Sequence, residues 1–315
     1  MSDPQAVALQ MNPLSDYLAG GLAERFAVCR WFELDAAARE SWLAQHAGRV
    51  RAVVAGGEVG CSNELMAALP ALGIITINGV GLDRVDLAYA SSRGIRVTTT
   101  PGLLTEDVAD LAVGLVIALL RGIAASDAFV RAGRWELGAA PLARKVSGRR
   151  FGIVGLGRIG TAIAQRLESF GPIAYTGPHR KAVSYEFHAD IVEFARRTDV
   201  LVLACPATSA TRRLIDARVL DALGPRAYLV NVARGAVVDE PALIAALQSG
   251  RLCGAALDVF EDEPRVPHAL RTSEKVVLTP HVASATVETR TAMADLVLAN
   301  LDAFLGSRAL PSAVC

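Results

Sequence analysis

The sequence predicts an α/β fold with two doubly wound parallel sheets, and three observations support this prediction. Short β-branched runs alternate with Ala/Leu-rich helical stretches, the pattern of parallel sheets covered by helices on both faces. The length of 315 residues exceeds one average domain and favours two. The chain is 52% hydrophobic and 20% charged, so two cores can be buried and an intrinsically disordered protein is excluded.

The first block of the chain contains five predicted strands and a long helix. The strands are Ala6–Met11, Phe26–Trp31, Arg51–Ala55, Ile74–Ile77 and Arg96–Thr100. The third and fourth strands run into glycine loops, Gly56-Gly57 and Gly79-Val80-Gly81. The helix extends from about Glu106 to Leu120, because its apolar residues repeat with helical spacing, and Thr105 is its expected N-cap.

The second block is a tighter succession of strands and helices. Its predicted strands are Phe151–Val154, Ile173–Thr176, Val200–Ala204, Tyr228–Val232, Gly254–Leu257 and Lys275–Leu278. A final helix, about Val287 to Phe304, is expected to pack back on the first block. The expected domains are therefore a discontinuous one, residues 1–98 plus 287–315, and a continuous one, residues 99–286.

Charge, hydropathy and cysteine usage exclude several classes of protein. Lys plus Arg and Asp plus Glu are both 32, so the basic excess of a nucleic-acid-binding protein is absent. The longest apolar run, Leu111–Leu120, is short of the roughly 20 residues that a membrane span needs. Met1–Gln5 lack the positive charge of a secretory signal. The five cysteines are scattered without a CxxC pair, which favours reduced thiols in a cytoplasmic protein without a metal site.

A glycine-rich loop after the strand Phe151–Val154 predicts dinucleotide binding. The loop reads Gly155-Leu156-Gly157-Arg158-Ile159-Gly160 and leads into a predicted helix, Thr161–Phe170. In this motif the first glycine permits a tight turn, the second lets the backbone approach a pyrophosphate, and the third allows close packing of helix on strand. Both domains are therefore expected to be Rossmann-like, with the cofactor on residues 99–286.

The end of the next strand predicts which cofactor is preferred. NAD-binding proteins carry an acidic residue here for the ribose 2′-hydroxyl. The segment that follows Thr176 is Gly177-Pro178-His179-Arg180-Lys181, without an acid. Arg180 and Lys181 could pair with a 2′-phosphate and His179 could border it, so NADP(H) is the preferred cofactor and NAD(H) a second one. The alternative is that these are ordinary loop charges.

Three further segments at strand ends carry groups suited to catalysis. They contain Arg234, then Asp258 with Glu263, then His281 after Pro280. Ligands of open α/β sheets bind at the carboxyl ends of strands, so the segments are expected to converge on the cofactor. Arg234 offers a cation that can bind a carboxylate and polarise a carbonyl group, and reduction of a carbonyl also needs a proton donor. A histidine bonded to a carboxylate fits that second role, as His281 with Glu263.

With these motifs in this order, the sequence resembles the D-isomer-specific 2-hydroxyacid dehydrogenases over essentially the whole chain. It is most similar to the NADPH-dependent glyoxylate/hydroxypyruvate reductases and the hydroxyphenylpyruvate reductases, on the Met11-Asn12-Pro13-Leu14 opening, the Tyr175-Thr176-Gly177 turn and Val287–Arg290. The resemblance implies reduction of a small 2-oxoacid to the D-2-hydroxy acid by a homodimer. It also implies a substrate site at Gly57, Val80 and Gly81, with Trp135 supplied by the neighbouring subunit.

The family pattern extends the expected cofactor site beyond the glycine loop. Asp258 matches the position that contacts the nicotinamide carboxamide. The other expected contacts lie at or after the ends of predicted strands of the second block: Cys205, Pro206, Thr211, Val232 and Ala233. The sequence departs from the family in the turn at Gly177-Pro178 and in the two glycines of the substrate loop, which leave the substrate's side-chain pocket undefined.

Four other functions compete with this interpretation. A hydroxyphenylpyruvate reductase shares the motifs, and so does a phosphoglycerate dehydrogenase, although many of the latter carry an extra regulatory domain. Formate dehydrogenases have Gln where Glu263 stands. A nucleotide-sensing corepressor uses the same fold and keeps the three catalytic residues, but such proteins have long disordered tails; consumption of NADPH with glyoxylate would distinguish it from an enzyme.

Overall fold

The structure is a computed structural model and describes residues 6–315. Met1–Gln5, on which the expected absence of a secretory signal rests, lie outside the described residues. The chain folds into two compact units. The first unit comprises the chain up to Leu104 together with Ala285–Cys315, and the second comprises Thr105–Ser284.

The first unit is built on a five-stranded sheet. Its strands are β1 (Val7–Gln10), β2 (Ala27–Arg30), β3 (Val50–Ala55), β4 (Ile74–Ile77) and β5 (Arg96–Thr98). They are parallel and lie in the order β2-β1-β3-β4-β5. The helices between them are α1 (Asp16–Ala23), α2 (Ala36–His46), α3 (Asn63–Ala68) and α4 (Leu87–Ser92).

The second unit opens with two helices, α5 (Thr105–Arg121) and α6 (Ile123–Arg131). Its seven strands are β6 (Phe151–Val154), β7 (Ile173–Thr176), β8 (Glu186–His188), β9 (Val200–Leu203), β10 (Tyr228–Asn231), β11 (Gly254–Leu257) and β12 (Val276–Leu278). Its remaining helices are α7 (Arg158–Leu167), α8 (Ile191–Arg196), α9 (Ala217–Leu223), α10 (Glu240–Gln248) and α11 (His268–Arg271). The sheet is parallel, in the order β12-β11-β10-β9-β6-β7-β8.

The last helix, α12 (Val287–Leu305), returns to the first unit. Its buried face includes Val297 and Leu301, which are completely buried in a core shared with Val54 of β3 and Leu18 of α1. Burying a side chain of this size contributes about 1.5–3 kcal/mol relative to exposing it. A helix that begins 189 residues after the end of β5 therefore completes the core of the five-stranded sheet.

The predicted strands of both sheets agree with the structure to within two residues at either end, and the two doubly wound parallel sheets are confirmed. Three details differ. Thr105 is not the N-cap of α5 but its first helical residue. Helix α7 begins at Arg158 rather than Thr161, because Gly157 itself is the N-cap. Strand β8 was not predicted, since its three residues, Glu-Phe-His, lack an apolar run.

Each sheet has one point where the strand order reverses. In the seven-stranded sheet β6 lies between β7 and β9, and in the five-stranded sheet β1 lies between β2 and β3. Loops that leave neighbouring strands at such a point diverge to opposite faces and open a crevice that binds ligands. The topology therefore predicts ligand binding at the loops that follow β6 and β9 in the second unit, and at those that follow β1 and β3 in the first.

Among residues 6–315, no single helix is long and apolar enough to cross a bilayer. Helices α5 and α6 reach that length and composition only together, and they are bent by 60° relative to each other. One face of α5 is buried in the protein core.

Candidate active site

In the first unit, two glycine loops meet at the carboxyl ends of β3 and β4. A Cβ added to Gly57 would lie 2.8 Å from the carbonyl oxygen of Gly81, so the two loops can approach this closely only because residue 57 is glycine. Asn12, which follows β1, accepts a 2.7 Å hydrogen bond from the backbone N–H of Gly56. Val80 is 38% exposed at the loop surface. The predicted substrate-binding residues Gly57, Val80 and Gly81 are thus brought together.

In the second unit, the glycine-rich loop after β6 has the expected strand–loop–helix context. Gly155 has a φ of +90°, and a Cβ there would lie 2.7 Å from the Cα of Cys205, across the point where the strand order reverses. A Cβ on Gly160 would lie 2.0 Å from the carbonyl oxygen of Gly155. The positive φ requires glycine at residue 155, and crowding requires glycine at both positions.

Gly157 differs from these two glycines, because neither its backbone angles nor its neighbours in the chain require glycine. Its φ is −77°, which any residue can adopt, and a Cβ there would meet no heavy atom within 4 Å. Nothing inside the chain requires glycine at this position. The open space lies at the N-terminus of α7, where free N–H groups and the helix dipole favour an anion. These residues fit a dinucleotide pyrophosphate, with Arg158 and Ile159 in the first turn of the helix.

The segments that follow β9 and β10 line the same edge of the sheet. Cys205 is buried, and this burial raises the pKa of its thiol to about 11, so it is not a nucleophile at neutral pH. The hydroxyl of Thr211 is used within its own loop, where it donates to the carbonyl of Pro206 at 2.6 Å. Val232 and Ala233 are buried directly after β10.

Arg234 is held at the end of β10 by its neighbours. The buried Asn231 donates from its amide to the Arg234 carbonyl at 3.0 Å and accepts the Ala233 N–H at 3.0 Å. The guanidinium donates to the Ala233 carbonyl at 2.8 Å. A Cβ on Gly235 would lie 1.9 Å from the Phe260 carbonyl, so this glycine packs the Arg234 loop against the loop after β11.

Asp258, the first residue after β11, organises the loop that carries the histidine. Its carboxylate accepts hydrogen bonds from the Thr279 hydroxyl at 2.6 Å and from the backbone N–H groups of Val282 and Ala283 at 2.9 and 3.1 Å. Its backbone carbonyl accepts from the N–H of His281 at 2.8 Å. These bonds hold His281 in a left-handed backbone conformation, with φ +53°.

The imidazole of His281 is paired with the carboxylate of Glu263. Nδ1 lies 2.7 Å from Glu263 Oε2, and Oε1 accepts the backbone N–H of Phe260 at 2.9 Å. The hydrogen bond to Glu263 raises the pKa of His281, although burial and the nearby Arg234 oppose the rise. Burial alone would raise the pKa of Glu263, but the hydrogen bonds from His281 and Phe260 outweigh it and lower that pKa. The pair therefore favours a charged imidazolium beside a carboxylate.

The cationic segment after β7 forms an exposed turn. The side chains of Lys181 and Arg180 in this turn have different partners. The Lys181 ammonium donates to the carbonyl of Leu156 in the glycine-rich loop, at 2.5 Å. The guanidinium of Arg180 lies 5.4 Å above the Phe187 ring. His179 is exposed, and a Cβ on Gly177 would meet open space.

Trp135 is 69% exposed and makes no part of the cluster around His281 in this single chain. Three residues that were not predicted from the sequence hold the loops in place: Asn12 on Gly56, Asn231 on Arg234, and Thr279 on Asp258. A polar residue that ends a strand or follows it within two residues was the signal that could have identified them.

Comparison with known proteins identifies relatives over nearly the whole length. The family model for the NAD binding domain of D-isomer specific 2-hydroxyacid dehydrogenases matches residues 113–283. Two relatives are each 49% identical over 304 residues, 96% of both chains: glyoxylate/hydroxypyruvate reductase A of Arabidopsis thaliana and hydroxyphenylpyruvate reductase of Plectranthus scutellarioides. The structure of NADPH-dependent glyoxylate/hydroxypyruvate reductase from Sinorhizobium meliloti, in complex with NADP and malonate, matches with a TM-score of 0.91 and 42% identity over 99% of this chain and 97% of that one.

Proposed function

The chain belongs to the D-isomer specific 2-hydroxyacid dehydrogenase family and is an NAD(P)-dependent reductase of 2-oxoacids, and we propose that Arg234, Glu263 and His281 carry out the reaction. The observation that carries this proposal is the 2.7 Å contact between His281 Nδ1 and Glu263 Oε2. It fixes the imidazole so that Nε2 is left to face a reacting oxygen. The three residues lie on loops at one edge of the same sheet, after β10, β11 and β12.

Arg234 binds and polarises the 2-oxoacid. A guanidinium presents a planar pair of donors that matches a carboxylate, and its charge stabilises negative charge developing on the carbonyl oxygen. The bond from Asn231 to the Arg234 carbonyl and the tight packing at Gly235 hold the arginine backbone in place. Little reorganisation is then needed when substrate binds.

His281 donates the proton that completes the alcohol. A nicotinamide cofactor held by the glycine-rich loop would supply a hydride to the carbonyl carbon, and His281 would give one proton from Nε2 of its imidazolium to the carbonyl oxygen. Glu263 stabilises the imidazolium before the transfer by accepting from Nδ1, and this raises the fraction of His281 that is protonated near neutral pH. In the reverse direction the neutral imidazole accepts the proton from the hydroxy acid.

The cofactor that these residues favour is NADP(H), with NAD(H) accepted more weakly. The space beside Gly157 and the N-terminus of α7 suit the pyrophosphate, and the first residues of the helix, Arg158 and Ile159, border it. The turn Gly177–Lys181 has no acid to repel a 2′-phosphate and carries two cations. The relative from Sinorhizobium meliloti, described as NADPH-dependent, supports the same choice. Asp258, Cys205, Pro206, Thr211, Val232 and Ala233 are the remaining proposed contacts.

The substrate is a small 2-oxoacid such as glyoxylate or hydroxypyruvate, bound through its carboxylate by the backbone N–H groups of Gly57, Val80 and Gly81. Relatives named for these substrates support the proposal. The test is a panel of glyoxylate, hydroxypyruvate, pyruvate, phenylpyruvate and hydroxyphenylpyruvate, each with NADPH and with NADH. The highest kcat/KM is expected for glyoxylate or hydroxypyruvate with NADPH, and a preference for pyruvate would contradict it.

Hydroxyphenylpyruvate is the second candidate substrate. A hydroxyphenylpyruvate reductase is as similar to this chain as the glyoxylate/hydroxypyruvate reductase is, at 49% identity. The same panel separates the two candidates, because an aromatic 2-oxoacid would then have the highest kcat/KM.

The functional form is proposed to be a cytoplasmic homodimer. Five apolar side chains that follow α5 are at least half exposed in the single chain: Ile123, Val130, Trp135, Leu137 and Leu142. Large exposed apolar patches are unusual on monomers and mark interaction sites. A second copy of the chain covering this segment would bury them, and Trp135 is proposed to reach the neighbouring subunit's substrate.

A further inference from the structure

Tyr175, near the end of β7, carries a hydroxyl group that packing does not explain. Its side chain is 1% exposed, and its ring lies 5.3 Å from the ring of Phe187 on β8. A phenylalanine would fill the same space without bringing a polar atom into the interior, where a hydroxyl without a partner costs free energy. The hydroxyl is therefore expected to have a function other than packing in the core.

That hydroxyl is bonded to a single residue of the cationic turn. It accepts the backbone N–H of Lys181 at 2.6 Å and lies 3.5 Å from the Lys181 carbonyl oxygen. The same carbonyl accepts the N–H of Val183 at 2.9 Å. The turn leaves the sheet at Gly177 and is thus tied back, at Lys181, to the strand that it has just left.

The tie determines where the two cations stand. With its backbone held by Tyr175, Lys181 extends over the glycine-rich loop and donates from Nζ to the carbonyl of Leu156. Arg180, one residue earlier, lies instead over the face of Phe187. The two positive charges are separated, and Lys181 is the one placed beside the loop that binds the dinucleotide.

We propose that Tyr175 is a positioning residue for recognition of the 2′-phosphate: its buried hydroxyl fixes the backbone of Lys181 so that the ammonium group stands beside Leu156, where it pairs with that phosphate. This inference rests on the proposed function, in which the turn binds NADPH. It assigns most of the preference for a 2′-phosphate to Lys181 rather than to Arg180. It also makes the preference depend on a side chain that the phosphate does not touch.

The test is calorimetric binding of two fragments of the cofactor, 2′,5′-ADP and 5′-AMP, which differ by the 2′-phosphate and involve no catalysis. Tyr175→Phe keeps the ring and removes the hydroxyl. We expect it to weaken 2′,5′-ADP binding by about tenfold and to change 5′-AMP binding by less than about twofold, the loss of one charge-assisted contact. Lys181→Ala should reproduce this selectivity, and Arg180→Ala should show a smaller effect.

Tyr185→Phe is the matched control. Its hydroxyl bonds to Glu168 rather than to the turn, so neither ligand should bind differently. The ratio of the two affinities does not depend on how much of a variant is folded, so it remains informative if Tyr175→Phe is less stable.

Three results would overturn the inference, and they differ in what else they remove. If Lys181→Ala is selective and Tyr175→Phe is not, the hydroxyl does not position the lysine but the phosphate contact stands. If Tyr175→Phe weakens both ligands equally, its role is structural only. If Lys181→Ala leaves 2′,5′-ADP binding unchanged, the proposed phosphate contact is itself wrong.

Discussion

At the scale of single residues, the site depends on carboxylates that act through a neighbour. Glu263 raises the pKa of the His281 imidazole, and Asp258 holds the backbone on which that histidine stands. Asp258 has both of its oxygens bonded to the loop Thr279–Ala283. Hydrogen bonds to a charged acceptor each contribute about 1.5–3 kcal/mol, so an uncharged replacement at residue 258 would loosen the loop and the histidine with it.

The first prediction concerns the proton donor. His281→Ala should lower kcat by about 10² or more, since a positioned proton donor contributes about 10²–10⁴ to the rate. NADPH binding, measured by calorimetry, should be retained. His268→Ala is the control, because that histidine is exposed at the start of α11 and should leave kcat unchanged. A near-normal kcat for His281→Ala would remove His281 from the mechanism.

The second prediction concerns the pH dependence of the same pair. In the proposed mechanism reduction requires protonated His281, so the rate of reduction should fall as the pH rises through the pKa of the imidazole. Glu263 raises that pKa, and Glu263→Gln keeps a hydrogen-bond acceptor but removes the charge. The fall in kcat/KM should therefore occur at lower pH in the variant. Identical pH profiles of the two proteins would mean that Glu263 does not control the charge on His281.

At the scale of secondary-structure elements, the features that could be predicted from the sequence are those that depend on a local residue pattern. Buried strands of four residues are recognisable as short apolar runs rich in β-branched residues, and the loop Gly155–Gly160 is recognisable by the spacing of its glycines. Strand β8 could not be found because its Glu-Phe-His lies at the edge of the sheet and reads as a loop. The hydrogen bonds by which Asp258 holds the loop of His281 could not be predicted either. Its partners lie more than twenty residues away along the chain and are brought to it by the pairing of β11 with β12.

The third prediction belongs to the turn after β7. Gly177→Asp should shift the ratio of kcat/KM for NADPH over NADH toward NADH, because a carboxylate repels the 2′-phosphate and can accept from a ribose 2′-hydroxyl. The glycine has ordinary backbone angles and open space around it, so the substitution fits sterically. Gly177→Asn, of nearly the same shape without the charge, is the control. An equal loss with both cofactors would show that the turn does not read the phosphate.

At the scale of the whole molecule, the exposed apolar segment after α5 is the feature that a single chain leaves unexplained. Leu137 and Leu142 are 88% and 100% exposed, beside Trp135. Their contact area is expected to be part of an obligate interface, which commonly buries more than about 2,000 Å².

The fourth prediction is that the protein sediments as a dimer at micromolar concentration. Leu137→Asp should produce monomers, because it places a charge in the proposed interface without touching a core. Val287→Asp is the control, since Val287 is 81% exposed at the start of α12, outside that segment. A stable and active monomer of the parent protein would contradict the proposal.

The return of α12 to the first unit has a consequence for synthesis on the ribosome. Residues Thr105–Ser284 are all synthesised before α12. The five-stranded sheet is synthesised first, but Val54 and its neighbours are covered only when α12 has been made. Domains generally fold as units once their chain is available. The unit begun first is therefore finished last, and a released chain truncated after Ser284 should show protease-resistant Thr105–Ser284 while its N-terminal strands are still cleaved.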